Sequence, residues 1–184
     1  LYVPKNVKQE KSIQIINLLL SKEDHMVQHR NLFILEEGAE AEVLICDHSL
    51  SVQKFITNSV TEVYSDKNST FSITRVQNEH NQSVQITNTF VHQEKDSTVT
   101  SNTISLHGGV IRNNINVNLN GENCENNSLG LFFADKEQLI DNFIYINHRQ
   151  PNCTSNQLYK GILDDEARGA FAGRIHVWPD AQKT

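Results

Sequence analysis

The sequence predicts an all-β fold in which short strands are wound as a repeating coil. Three observations carry this: strict apolar/polar alternation over short runs, turn clusters that recur at a fixed step, and an apolar content of only 38% in 184 residues. Alternation marks a half-buried strand because successive side chains leave opposite faces. A narrow coil has a thin core, so it needs few apolar residues. The deficit is made up by Asn, Ser, Thr and Gln rather than by charge, which stays at 21%, and that separates the chain from a disordered polyelectrolyte. At this length one domain suffices.

Residues 1–20 stand outside the clear periodicity and read as a lead-in strand or cap, leaving 21–184 as the coiled core. Within the core, Phe71-Ser72-Ile73-Thr74, Val84-Gln85-Ile86-Thr87 and Ile115-Asn116-Val117-Asn118-Leu119-Asn120 alternate without error. Turn clusters separate such runs: Glu36-Glu37-Gly38, Ser65-Asp66-Lys67-Asn68, Glu94-Lys95-Asp96, Asn120-Gly121-Glu122-Asn123 and Asp164-Asp165-Glu166. They are built from residues that accept positive φ or bond their own backbone. A small residue follows each cluster and opens the next run, at Ala39, Ser69, Ser97, Cys124, Cys153 and Ala167. The step is roughly 28 residues, with half-steps of roughly 14 at Ala167 and near Ser83, which gives two strands per coil. Pro4, Pro151 and Pro179 sit where strands begin or end, as residues without an N–H should. Columns of Val, Ile, Leu and Phe are expected inside and ladders of Asn, Ser, Thr and Gln outside. An antiparallel sandwich is the competing architecture, but it seldom holds one step over so many strands.

A formal net charge of −6 without a basic stripe argues against nucleic acid as a partner. The longest apolar run, near Ile13 to Leu20, is interrupted by Gln14 and Asn17 and falls short of the ~20 residues that span a bilayer, so no membrane segment is expected. Cys46, Cys124 and Cys153 form an odd set without a Cys-x-x-Cys pair, which predicts free thiols and a cytoplasmic location.

Candidate chemistry is sparse. No nucleophile elbow is present, and His107-Gly108-Gly109 reads as a turn. Cys46 with His48, and His148 with Cys153, approach metal-ligand spacing but lack a second pair, so Cys153 and His148 are weak metal candidates only. His25 and His29 would share a face if the segment were helical, and are otherwise expected to be solvated. Acidic residues gather in the turns, whereas a carbohydrate-active β-helix, whether polysaccharide lyase or hydrolase, would need them on strands at matched depth.

The run Gln157-Leu158-Tyr159-Lys160-Gly161-Ile162-Leu163-Asp164-Asp165, followed by Gly169-Ala170-Phe171-Ala172-Gly173-Arg174-Ile175 and Asp180-Ala181-Gln182-Lys183-Thr184, resembles the core of the SufB/SufD family. The start, Tyr2-Val3-Pro4-Lys5-Asn6-Val7, resembles the beginning of that core, and the motifs are closer to the SufD side of the family. The resemblance implies a right-handed parallel β-helix and a non-catalytic scaffold for iron–sulfur cluster assembly, working with a SufB-like subunit and a SufC-like ATPase. It also implies that the helical segment contacting the ATPase, and the Cys and His residues of the subunit interface, lie beyond Thr184. No catalytic or cofactor-binding residue is therefore carried over, and a cluster is expected only as cargo handled transiently in the complex. An open coil end predicts that this stretch pairs with a second copy as a homodimer.

Overall fold

A computed structural model describes residues 1–184, and it is a two-sheet parallel β-helix without a single α-helix. Strands β1 (Tyr2–Val3), β3 (His25–Leu35), β5 (Phe55–Ser65), β7 (Val84–Gln93), β9 (Val110–Leu119), β11 (Leu139–His148) and β13 (Arg168–Val177) form one sheet in that order. Strands β2 (Ile13–Leu19), β4 (Glu40–Ser49), β6 (Thr70–Asn78), β8 (Thr98–His107), β10 (Glu125–Ala134) and β12 (Thr154–Leu163) form the other. Every pairing is parallel, and the chain alternates between the sheets, so two strands make one coil. The coil length is read from side chains that stack across coils. Asn17 meets Asp47 across 30 residues, Asn102 meets Thr74 across 28, Asn114 meets Asn88 across 26 and Asn156 meets Asn127 across 29. The three runs chosen for their alternation lie in β6, β7 and β9. Residues 1–20 carry β1 and β2, whose ladders run to β3 and β4.

Two corners join the sheets. At the first, where the odd strands hand over to the even ones, Gly38, Asn68, Asp96, Asn123 and Asn152 all have positive φ. Only Gly, Asn and Asp take this conformation readily. The N–H of each bonds to a carbonyl of the next coil, at Lys67, Lys95, Glu122, Pro151 and Gln182 in turn. The turns therefore stack as a ladder of their own. The small residue that follows points inward, and Ala39, Ser69, Ser97, Cys124 and Cys153 form a column that is 0–1% exposed. Ala167 and Ser83 belong to the second corner, half a coil away, as their spacing requires.

The interior is not the uniform apolar column that alternation suggests. A cluster of 19 buried residues, including Phe33, Val63, Phe71, Val91, Val117 and Ile146, fills the half next to the first corner. A separate cluster of Ile111, Phe132, Ala134 and Ile140 lies near the second corner in the later coils. Between them runs a buried polar band. Its clearest column is Ser59, Thr87, Asn113 and Asn142, successive in-register partners on β5, β7, β9 and β11 and all buried. Asn113 Nδ2 donates to Asn142 Oδ1 (2.9 Å), Thr87 Oγ1 donates to Asn113 Oδ1 (2.7 Å), and Gln77 exchanges bonds with Asn113 across the interior. The expectation that amides and hydroxyls would stay outside is thus corrected. Many of them bond one another inside, which offsets much of the cost of burying them, although Asn142 Nδ2, Gln85 Oε1 and Ser101 Oγ have no partner.

Candidate functional site

The two weak metal candidates meet at the first corner of the late coils. His148 ends β11 and is 2% exposed. Its Nδ1 lies 2.5 Å from Thr184 Oγ1 and its Nε2 lies 2.9 Å from Ser155 Oγ, so both ring nitrogens are engaged by hydroxyls. Burial holds its pKa below the ordinary histidine value. Thr184 Oγ1 also donates to the Cys153 carbonyl, which ties the two candidates through one hydroxyl. The Cys153 thiol donates to Gly121 O at 3.3 Å, and the Cys124 thiol reaches the same oxygen at 3.2 Å. Burial pushes the Cys124 thiol up to about 11, so it stays protonated at neutral pH. Nowhere in the chain do three or more His, Cys, Asp or Glu side chains gather around a point that could hold a metal.

The remaining sequence candidates are dispersed. Cys46 and His48 sit on the outer face of β4 and accept bonds from Gln14 (3.6 Å) and Asn78 (3.0 Å). His107 closes β8, and Gly109 follows at a corner where a Cβ would run into Asn81 O. His25 and His29 lie on strand β3 rather than on a helix, and His29 turns into the interior, half-buried instead of solvated. The strand pairings hold this segment extended: His25 to Leu35 pair residue for residue with Phe55 to Ser65.

The charged group that sequence reasoning missed is inside the early coils. Arg75 Nη1 stands 3.5 Å from Asp47 Oδ2, and the guanidinium also donates to Ser59 Oγ (2.8 Å) and Thr61 Oγ1 (3.1 Å). Asp47 accepts further bonds from Asn17 (2.8 Å) and Gln85 (2.9 Å). Glu79, 1% exposed, accepts only from Thr57 (3.2 Å), and its Oε1 has no partner. Burial, and then the nearby Asp47 charge, push its carboxyl up to about 7. The signal was available: Arg75 and Gln77 are in phase with Phe71 and Ile73, so the same alternation that buries those apolar residues buries these two.

A carbohydrate-active site would need strand-borne carboxylates with Lys or Arg converging in an outer groove. The outer charges instead form isolated cross-coil pairs, Arg30 with Glu62 and Arg112 with Asp141. A corner groove of ≈ 490 Å³ is lined mainly by amides, small residues and the corner pair Lys136 and Glu137. No helix of the chain is long and apolar enough to cross a membrane.

Comparison with known proteins agrees with this architecture. Residues 18–184 match the family described as SUF system FeS cluster assembly, SufBD core domain. The iron–sulfur cluster assembly protein SufD of Escherichia coli (strain K12) is 29% identical over 163 residues, 89% of this chain and 38% of that protein. A SufBD family protein of Mycobacterium leprae is 33% identical over 97 residues, 49% of this chain and 25% of its own length. One from Synechocystis is 25% identical over 192 residues, covering 100% of this chain and 42% of that protein. The chain thus spans well under half of each of these relatives. With its matched span covering nearly the whole β-helix, the chain belongs to the SufBD core family of the SUF iron–sulfur cluster assembly system.

Proposed function

We propose that this chain is the β-helical core of a SufD-like scaffold subunit that supports cluster assembly without catalysing a reaction, in complex with a SufB-like subunit and a SufC-like ATPase in the cytoplasm. The observation that carries the reading is the match of residues 18–184 to the SufBD core, on a β-helix whose outer charges form isolated cross-coil pairs and do not converge in a groove. Many polar side chains of the middle coils bond one another, as in the band around Asn113. In this reading the iron–sulfur cluster is cargo of the complex, and neither Cys153 nor His148 is a resident ligand.

The test is co-expression of the full-length protein with its cognate SufB-like and SufC-like partners, followed by affinity purification through any one subunit. All three are expected to co-purify, and failure to form the complex removes the functional claim. In the absence of partners, the chain is expected to form a homodimer. Sedimentation that shows a strict monomer at high concentration would count against that.

A further inference from the structure

The sheet of even-numbered strands changes character along its strands. In the half next to the second corner many inward positions are polar and most outward positions are apolar, the reverse of an ordinary surface strand. Strand β6 holds Arg75 and Gln77 inside with Val76 outside between them, and β8 holds Thr103 and Ser105 inside with Ile104 and Leu106 outside. The coils stack these outward residues in register, so that Ile16, Cys46, Val76, Ile104 and Leu131 form one column across β2, β4, β6, β8 and β10. Leu44 and Leu129 stand to one side of it, and Leu106 and Phe133 to the other. Leu106, Leu131 and Phe133 are 43%, 37% and 38% exposed.

Charge is nearly absent from this half-face. Lys160, next to Leu131 on β12, is the only Lys, Arg, Asp or Glu in its three outward columns. The outer face of the other sheet carries the pairs Arg30 with Glu62 and Arg112 with Asp141. A shallow hollow of ≈ 420 Å³, lined by Ile104, Leu129, Leu131 and Leu158 among others, lies in the middle of the apolar columns. Single exposed apolar residues are ordinary, whereas a contiguous patch marks an interaction surface. Six strands at ~4.8 Å and three outward columns at ~6.8 Å give a footprint of roughly 600 Å². Two such faces together remove roughly 1,200 Å² from water, which clears the ~1,000 Å² expected of a specific interface.

We propose that this half-face is the contact between two copies of the protein, packed sheet on sheet with their rods antiparallel about a two-fold axis. Packed sheets lie about 10 Å apart, so outward Leu, Ile and Phe side chains of one copy reach those of the other. Antiparallel rods bring Lys160 of each copy toward the early coils of the other, which keeps the two cations apart. The half of the same face next to the first corner, with Glu42, Thr100 and Asn127, supplies a polar rim. This contact rests on the homodimer expected above and gives it a surface, whereas co-purification with the SufB-like and SufC-like partners does not depend on it.

The experiment is sedimentation equilibrium of the full-length protein without partners, comparing the wild type with Leu131→Glu on this face and Phe90→Glu on the outer face of the other sheet. Both side chains are exposed, at 37% and 36%, and neither points into the core. A dimer is expected whose dissociation constant rises about 100-fold in Leu131→Glu, because the two-fold axis buries the unpaired carboxylate twice, and is unchanged in Phe90→Glu. A strict monomer overturns the proposal together with the homodimer expectation. A dimer indifferent to Leu131→Glu, or weakened equally by Phe90→Glu, overturns the proposal and leaves the homodimer standing. Loss of the SufB-like partner from Leu131→Glu with the homodimer intact assigns the face to that partner and likewise overturns it. Should Leu131→Glu fail to fold, Cys46 of the wild type decides the matter, since it is partly exposed in the central column while Cys124 and Cys153 are buried. Its alkylation by iodoacetamide, read by peptide mass, must slow about fivefold or more over the concentrations at which the dimer forms, and a constant rate overturns the proposal.

Discussion

The two halves of the rod interior obey the same alternation and the same backbone ladders, yet they are held together by different physics. Beside the first corner, Phe33 and Phe71 pack with ring centroids 5.5 Å apart amid Val63, Val91, Val117 and Ile146. Toward the second corner of the early and middle coils, the same inward positions carry Asp47, Arg75, Gln77, Glu79, Gln85 and Asn113. Apolar packing is non-directional and tolerates rearrangement, whereas a buried polar network contributes only while every partner is in place. The backbone of a parallel coil specifies which residues face inward but not what chemistry they bring. The apolar half should therefore respond to lost volume, and the polar half to lost partners and to pH.

The largest effect should come from the apolar half. Phe71, 1% exposed, sits at the centre of the cluster. Phe71→Ala is expected to cost about 4 kcal/mol, within the range for emptying a buried aromatic position. Equilibrium unfolding in urea measures it, and a loss under about 1 kcal/mol would mean that this half is not the stabilising core. Next comes Arg75→Met, which leaves Asp47 buried without its cation and should cost about 3 kcal/mol. Asn17 and Gln85 remain to hold the carboxylate, which keeps the loss at the lower end. The double variant Asp47→Leu with Arg75→Met should recover most of that loss, because apolar replacement of a whole buried pair is often neutral. A double variant as unstable as the single one would show that the pair stabilises outright.

Glu79 makes the polar half sensitive to pH. Its folded-state pKa of about 7 lies above the ordinary value of 4.5. The folded protein therefore binds more protons than the unfolded chain between those values. Stability from this group is fully present below about pH 4.5 and is lost as pH rises through 7, a difference of about 3 kcal/mol. Glu79→Gln should flatten this dependence and raise stability at pH 8 by about 2 kcal/mol, less than the full amount because the amide also lacks partners. Unfolding followed from pH 5 to pH 8 tests it, and an unchanged slope in the variant would assign the dependence to another group.

Much of this contrast was hidden in the sequence for a definable reason. The alternation of Ile115-Asn116-Val117-Asn118-Leu119 identifies β9 and its inward face directly, and Asn68, Asp96 and Asn123 mark the turns because their positive φ suits few other residues. Strand β5 shows the limit. Phe55 and Val63 fix its inward face, and that face then includes Thr57, Ser59 and Thr61, which composition alone would place in solvent. What rescues Ser59 and Thr61 is Arg75, arriving from β6 on the opposite sheet, while Thr57 donates to Glu79. Such a contact depends on the stagger of two sheets and has no local sequence signal. His148 and Cys153 show the converse: their nearness was legible from spacing, but the hydroxyls of Ser155 and Thr184 that occupy His148 are set by how the coils stack.

The smallest effect tests whether the corner cysteines are chemistry or packing. In the inward column at the first corner, Ser69 Oγ donates to Asp66 O at 2.5 Å and Ser97 Oγ to Glu94 O at 2.6 Å. Cys124 repeats the pattern with its thiol on Gly121 O, and it also reaches Glu94 O at 3.2 Å. Three coils thus use one device, a small donor that caps the turn three residues back. If that is all Cys124 does, Cys124→Ser should change stability by less than about 1 kcal/mol, since the hydroxyl is a better donor and the lost volume is small. Cys124→Val should cost about 2 kcal/mol, because a branched side chain overfills a column that is 0–1% exposed and has no donor for Gly121. Urea unfolding of the two variants under reducing conditions makes the comparison. A Ser variant as damaged as the Val variant would show that sulfur itself, and not a small donor, is what this corner requires.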